Sequence, residues 1–268
     1  MATAPRRVAE NEPILLRAEA GGIVTLTLNR PRQFNALSEA MLDALTAGLE
    51  EIGNDRNARV VVLAGAGDNF CAGHDLKEMR ARPDQDWYRA LFGKCAALMG
   101  KIAEIPQPVI ARVRGIATAA GCQLVAGADL AVASEDARFA TSGINVGLFC
   151  STPAVPLTRA VPAKPAFEML MTGDFIDAAE AHRLGLVNRV VPRARLDEAV
   201  AELAQKIVAK SPVAVATGKR LFHQIQGKSL DEAYAIAGET MACNMMAEDV
   251  AEGIDAFMAK RPPTWRGR

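Results

Sequence analysis

The sequence predicts an α/β protein, with strands alternating with helices in a core and a helical region at the C-terminal end. Three observations carry this. Short apolar runs recur between helical stretches in the first half, Gly and Pro punctuate them, and from Ala163 onward helical patterns take over. Ile23–Asn29 (IVTLTLN) alternates, placing Val24, Leu26 and Leu28 on one face of a strand. Asn29-Arg30-Pro31 ends it, since Pro cannot continue a ladder. Ser38 is placed to cap a helix running to Gly53. Val60–Leu63, Val109–Val113 and Asp129–Ala133 read as strands buried on both faces. The later pattern predicts helices over Ala163–Met171, Ala178–Leu184, Arg195–Lys210, Pro212–Gln226 and Ser229–Lys260, with a short strand near Val187–Val191. The expected organisation is a disordered leader at 1–12, a core at 13–195 and a helical, oligomer-building region at 196–268. Fixed-period repeats are not apparent.

At 268 residues, half of them hydrophobic, the chain can bury a sizeable core. Lys+Arg and Asp+Glu are 31 each, so no net field draws in nucleic acid or an anionic membrane. A local patch could still receive an anionic small molecule. The cysteines (Cys71, Cys95, Cys122, Cys150 and Cys243) form no CxxC pair and do not cluster with histidines, so neither a disulfide framework nor a metal site is expected. The first residues lack an apolar secretory segment and faintly resemble a transit peptide in their arginines. No apolar run reaches the about 18 residues of a spanning helix. The expectation is a soluble, cytoplasmic protein, with the mitochondrial matrix as the alternative.

Two segments point to chemistry. Asp68–Met79 (DNFCAGHDLKEM) follows the Val60–Leu63 strand with small residues that let backbone approach a ligand closely. Gly115–Asp129 (GIATAAGCQLVAGAD) follows the Val109–Val113 strand and opens a helix whose first N–H groups have no intrahelical partner and carry the positive end of the helix dipole. Each alone fits a tight connection. Together they would supply two backbone donors for one developing oxyanion.

Asn29–Leu37 (NRPRQFNAL) resembles the NRPxxxNAL signature of the enoyl-CoA hydratase/isomerase (crotonase) superfamily. Phe70–Met79 (FCAGHDLKEM) is similar to its FxAGADLKEM loop, Gly121–Leu124 (GCQL) to its GGGCEL helix start and Ala128–Ser134 to its CDLxxA strand. Glu252–Arg261 (EGIDAFMAKR) resembles its EGxxAFxxKR tail. The similarity runs in order from Ile14 to Trp265. It implies a spiral of ββα units with C-terminal helices that build trimers or dimers of trimers. It also implies an acyl-CoA thioester as ligand, with coenzyme A arriving as part of the substrate and no permanently bound cofactor. The oxyanion donors carry over to the backbone N–H groups of His74 and Ala120. Ala72, His74 and Leu76 match the loop along the CoA adenine, Ala36 and Leu37 the pantetheine path, and Lys77 stands beside them. Phe257 and Lys260 match tail residues that reach a neighbouring subunit's CoA.

The sequence also departs from the pattern. A hydratase of this family uses two glutamates; the matching positions hold Gln123 and Gly143. Neither can deliver or remove a proton near neutrality, although Gln123 could hydrogen-bond a water. Asn145 is the remaining polar candidate for the pocket, against a role in a turn. The His74 imidazole is either a replacement base or a ring packed away from the thioester, and Asp75 and Asp129 read as loop ties. Cys150 and Ser151 have no base nearby in sequence for a thioesterase reaction. The His74 variant resembles a decarboxylase branch of the superfamily. A longer stretch, including Asn145–Pro153 (NVGLFCSTP), resembles the divergent enoyl-CoA hydratase domain-containing proteins. Three readings follow: a hydratase-like enzyme without its glutamate pair, a non-catalytic acyl-CoA-binding modulator, or a decarboxylase or thioesterase on the same scaffold. A nicotinamide dehydrogenase fits poorly, since no GxGxxG opens the first strand–helix unit and no acidic residue stands about 20 residues on.

Overall fold

A computed structural model describes residues 12–268, so the predicted leader, Glu12 apart, lies outside the described residues. The chain opens with a hairpin, β1 (Leu15–Ala20) and β2 (Ile23–Leu28), whose burial alternates as the sequence predicts: Val24, Leu26 and Leu28 point into the core. Ser38 caps α1 (Glu39–Asn54) by accepting from the Met41 N–H. β3 (Val60–Gly65) is buried along its whole length. It leads through α2 (Leu76–Ala81) and α3 (Gln85–Glu104) to β4 (Val109–Val113). β5 (Ile116–Thr118), α4 (Ala120–Gly127), β6 (Leu130–Ser134) and β7 (Arg138–Ala140) follow, then α5 (Ser151–Ala160), α6 (Ala163–Thr172), β8 (Ile176–Asp177) and α7 (Ala178–Arg183). β9 (Arg189–Val191), α8 (Leu196–Val208), α9 (Pro212–Gln224), α10 (Leu230–Met245) and α11 (Glu248–Met258) complete the chain.

The large sheet runs β1-β2-β3-β4-β6-β9, with every pairing after β1–β2 parallel. Its apolar runs are explained by two cores. Val61 and Leu63 face the main core with α1, α3 and α4, while Val60 and Val62 face a second cluster with Leu196, Val200 and Ala204 of α8. So α8, the first helix of the region predicted to be appended, covers the sheet's second face. A small sheet, β5-β7-β8, has no counterpart in the sequence reading, because strands of two or three residues carry no readable period. An isolated bridge, Cys71–Ala117, ties it to the loop after β3, and a second, Leu37–His74, ties that loop to the segment before α1.

The single helix predicted over Ser229–Lys260 is corrected to α10 and α11, with Ala247 extended between them. The reason is Asp249, 1% exposed, whose carboxylate accepts from the Ser211 hydroxyl and from the Arg266 and Gly267 N–H groups. Turning α11 back brings that carboxylate to its donors. Among the described residues no helix is long and apolar enough to cross a membrane. The cysteines are free thiols, and only Cys243 is exposed.

α9 is clasped to the core by a buried ion pair. Lys219 Nζ lies 2.7 Å from Asp129 Oδ2 and donates to the carbonyls of Ile102 and Gln107 at 2.6 and 2.8 Å, using all three of its protons. Asp129 also accepts from the Val109 N–H and bonds His223 Nε2 at 2.8 Å, as expected of a residue that ties loops. Lys219→Met leaves the carboxylate without its cation and should cost about 3–5 kcal/mol in urea unfolding. A loss under about 1 kcal/mol would show that the clasp contributes nothing net.

Candidate active site

The loop after β3 is shaped by hydrogen bonds from the Asn29–Leu37 segment. Asn35, buried and in the left-handed region at φ 54°, donates from its amide to the carbonyls of Ala66 and Asn69. Leu37 donates its N–H to Gly73 and accepts from the Asp75 N–H. Arg30 bonds Asp75 Oδ2 at 3.0 Å and the Ala36 carbonyl at 3.2 Å, while Asp75 Oδ1 caps α2. Asp75 is therefore a cap and tie; its carboxyl is held below the usual value against the burial that raises it, by the Glu78 N–H and by Arg30.

Opposite this loop stands the start of α4. Ala119 precedes it at φ 50°, ψ −120°, a strained conformation for alanine, and donates its N–H to the Ala140 carbonyl. The two segments touch through positions without side chains. A Cβ on Gly121 would lie 2.0 Å from the Cys71 carbonyl oxygen, and one on Gly73 would lie 3.0 Å from the Ala120 nitrogen. Neither the His74 nor the Ala120 N–H has an acceptor among the described residues. Both residues line a cavity of about 230 Å³, together with Ala72, Leu76, Phe92, Gly143 and Leu148. The first residues of α5, Ser151 to Pro153, also reach it, so two helix N-termini border one apolar space.

Of the residues singled out in the sequence, Ala72, His74, Leu76, Ala120 and Gly143 meet here. Lys77 borders an adjoining open groove with Arg80 and Tyr88. Others do not reach the cavity. Ala36 and Leu37 are 8% and 0% exposed; Leu37 holds the loop from behind, because its backbone groups are the loop's hydrogen-bond partners, while the Ala36 carbonyl accepts from Arg30. Asn145 turns its amide to the Gly173 carbonyl at 3.5 Å, at the end of α6, and away from the cavity lining. Gln123 lies one turn below Ala120, 3% exposed, with Cys95 Sγ 3.8 Å from its Oε1, and it borders a second cavity. Phe257 and Lys260 stand outside the cavity lining, Phe257 85% exposed on α11.

The His74 ring packs edge-on against Phe92, centroids 5.4 Å apart, and both ring nitrogens are shut from solvent without a hydrogen-bond partner. Burial pushes its pKa below 6.5, so the ring is neutral. Burial also raises the Cys150 thiol and pushes Cys71 and Cys122 up to about 12. Gly143 has no room for a side chain: a Cβ would lie 2.5 Å from the Leu148 carbonyl oxygen and 2.8 Å from Cys150 Sγ. Phe92, Val146, Leu148, Phe149 and the Ser142 hydroxyl, 2.7 Å from Thr118 Oγ1, were not identified from sequence. The one available signal was the apolar character of Val146–Phe149, whose side chains stay exposed in the single chain, Val146 by 65%, Leu148 by 43% and Phe149 by 41%. Among the described residues no group of His, Cys, Asp or Glu could hold a metal ion.

The enoyl-CoA hydratase/isomerase family model matches residues 18–268. The chain is 44% identical over 264 residues to the human enoyl-CoA hydratase domain-containing protein 3, mitochondrial, covering 98% of this chain and 87% of that protein. Among solved structures, an enoyl-CoA hydratase from Mycobacterium smegmatis superposes with a TM-score of 0.93 at 58% identity, covering 95% of this chain and 99% of that one. The structure of the human domain-containing protein 3 superposes with a TM-score of 0.92 at 43% identity, covering 94% and 100%.

The neutral His74 ring predicts a pH effect on stability. Its folded pKa lies below the unfolded value of 6.5, so the unfolded chain binds the proton more readily and stability falls as pH drops from 6.5 toward the folded value. His74→Phe keeps an aromatic edge against Phe92 without a proton to bind. Urea midpoints measured above and below pH 6.5 should diverge less in this variant than in the wild type; equal divergence would place the effect elsewhere.

Proposed function

The chain belongs to the enoyl-CoA hydratase/isomerase family and has the crotonase fold, and from that premise we propose that it binds acyl-CoA thioesters in a backbone oxyanion hole and works without the glutamate pair of a hydratase. The observation that carries this reading is the pair of N–H groups, at His74 and Ala120, that border one apolar cavity with no protein acceptor. A thioester carbonyl oxygen placed between them accepts both bonds, and these strengthen as negative charge develops on that oxygen. Ala72, His74 and Leu76 then flank the CoA moiety, with Lys77 at the rim for the phosphates. Coenzyme A enters as part of the substrate.

What the site lacks decides the chemistry. Gln123 and Gly143 carry no proton to transfer, and the titratable groups in the cavity wall, His74 and Cys150, are both held neutral by burial. Water addition needs a base for water and an acid for carbon. Loss of carbon dioxide from a malonyl-type thioester needs no base, because the electron pair of the breaking carbon–carbon bond passes directly into an enolate held in the hole, and the enolate carbon then takes its proton from solvent water. The thioesterase reading has no support, since the Cys150 thiol is raised and the Ser151 hydroxyl bonds the Phe149 carbonyl.

The same reading includes assembly into a homotrimer or a hexamer. α10 and α11 expose Tyr234, Met241, Met246, Phe257 and Met258, more apolar surface than a monomer ordinarily leaves bare. In such an assembly Phe257 and Lys260 meet a neighbouring subunit's CoA. The human relative carries "mitochondrial" in its name, which favours the matrix alternative over the cytoplasm.

Crotonyl-CoA hydration, followed by loss of enoyl absorbance, should run at least about 10²-fold below that of a hydratase with both glutamates. Turnover within about tenfold of such an enzyme would overturn the reading. Ala120→Pro removes one donor where helices accept proline, and should lower turnover of whichever thioester is active by about 10²–10³, whereas Ala120→Gly keeps the N–H and is tolerated. Equal losses in the two variants, with circular dichroism unchanged, would count against the hole.

A further inference from the structure

The second face of the large sheet is only partly covered. α8 packs on β3, β4 and β6, and beside it Thr25 and Thr27 of β2 stay half-buried, alternating with the core-facing Val24, Leu26 and Leu28. The register sets Thr27 opposite Ala64, and Ala64 opposite Arg112, on three adjacent strands. A methyl group between two longer side chains leaves a trough, roughly 10 Å across at two strand spacings. Ala64 to Ala66 form its floor, with Thr25 and Thr27 on one side and Arg112 and Arg114 on the other, around a cavity of about 420 Å³. The charges beside it are unevenly matched. Arg112 pairs with Asp197, and Arg193 with Asp68 and Asp136. The Arg114 side chain has no hydrogen bond or ion pair among the described residues, and its Nε is buried without a partner. Neither threonine hydroxyl bonds another described residue. Burial, and after it the guanidiniums of Arg112 and Arg193, lower the Arg114 pKa by more than Asp197 and Asp68 raise it. That is the mark of a cation short of countercharge.

We propose that this trough is an oxyanion site, in which a phosphate or carboxylate group bridges the Arg114 guanidinium and the Thr27 hydroxyl on the sheet face opposite α4. The inference does not depend on the acyl-CoA reading above. A guanidinium presents its N–H groups in a planar fork that matches two oxygens of either anion, and the hydroxyl adds a third donor. A cation is repelled by the arginines, and a neutral ligand leaves the Arg114 charge unmatched. The floor has no side chain larger than a methyl group, so an anion can settle between the two walls without displacing anything. Arg112 is held back from it by Asp197, which leaves Arg114 as the cation that answers the ligand.

The test is calorimetric titration of the full-length protein with inorganic phosphate and, separately, with acetate, at constant ionic strength, using wild type, Arg114→Gln, Thr27→Val and Lys77→Gln. Wild type should bind at least one of the two anions saturably, and the tighter one identifies the ligand as phosphate or carboxylate. Hydrogen bonds to a charged group are strong enough that Arg114→Gln should weaken binding at least about tenfold, and Thr27→Val about two- to tenfold. No saturable binding of either anion overturns the proposal, as does binding that survives Arg114→Gln with circular dichroism unchanged. If Arg114→Gln does not fold, Thr27→Val decides, and undiminished binding there overturns it. Binding lost in Lys77→Gln would place the anion at the rim of the thioester cavity and overturn it too. So would an Arg114→Gln variant that sediments as a smaller species while wild type binds neither anion, since Arg114 would then pair with a carboxylate of a second copy of this chain.

Discussion

Everything in the site depends on two backbone segments meeting where no side chain fits. Gly121 lies against the Cys71 carbonyl and Gly73 against Ala119 and Ala120, at distances that any Cβ would violate. That contact brings the loop after β3 to the first turn of α4, and with it the amides of His74 and Ala120. Ala119 takes a left-handed conformation in the process, a local strain held by its bond to the Ala140 carbonyl and by the packing of β5 on β7. Strain of this kind persists only where the surroundings over-determine it, and here both flanking strands are buried.

The large sheet supplies that rigidity. Because β3, β4 and β6 are covered on one face by α1, α3 and α4 and on the other by α8, the strand ends that carry the two loops are fixed from both sides. The Asn29–Leu37 segment then adds a polar brace: Asn35 and Arg30 bond the loop after β3 at its beginning and its end. Charge is kept at the periphery of the cavity. Inside it the titratable side chains are neutral, so the field available to a developing oxyanion comes from amides and helix ends, which need no reorganisation as the charge appears.

This arrangement also makes sense of the departures from the family's glutamates. At Gly143 the Leu148 carbonyl and Cys150 sulfur occupy the space a side chain would take, so the loss of one glutamate is built into the packing of the loop. At Gln123 the side chain lies among Cys95, Ala96 and Thr152, where an amide is accommodated with one weak bond from a thiol. A glutamate in place of Gly143 would require a different loop.

The sequence by itself determined the α/β core, the strands from Ile23, Val60 and Val109 and the cap at Ser38, because periodicity, Gly and Pro act locally. It could not determine which side chains face the cavity. Asn145 and Leu37 sit in recognisable motifs yet turn to Gly173 or into the core, and Phe92 lines the cavity without any motif. It also missed the β5-β7-β8 sheet and the break before α11, where a buried carboxylate overrides helix propensity. Those outcomes depend on contacts between residues far apart in the chain, and only the tertiary structure decides them: what a side chain faces is set by which other segment occupies the space around it.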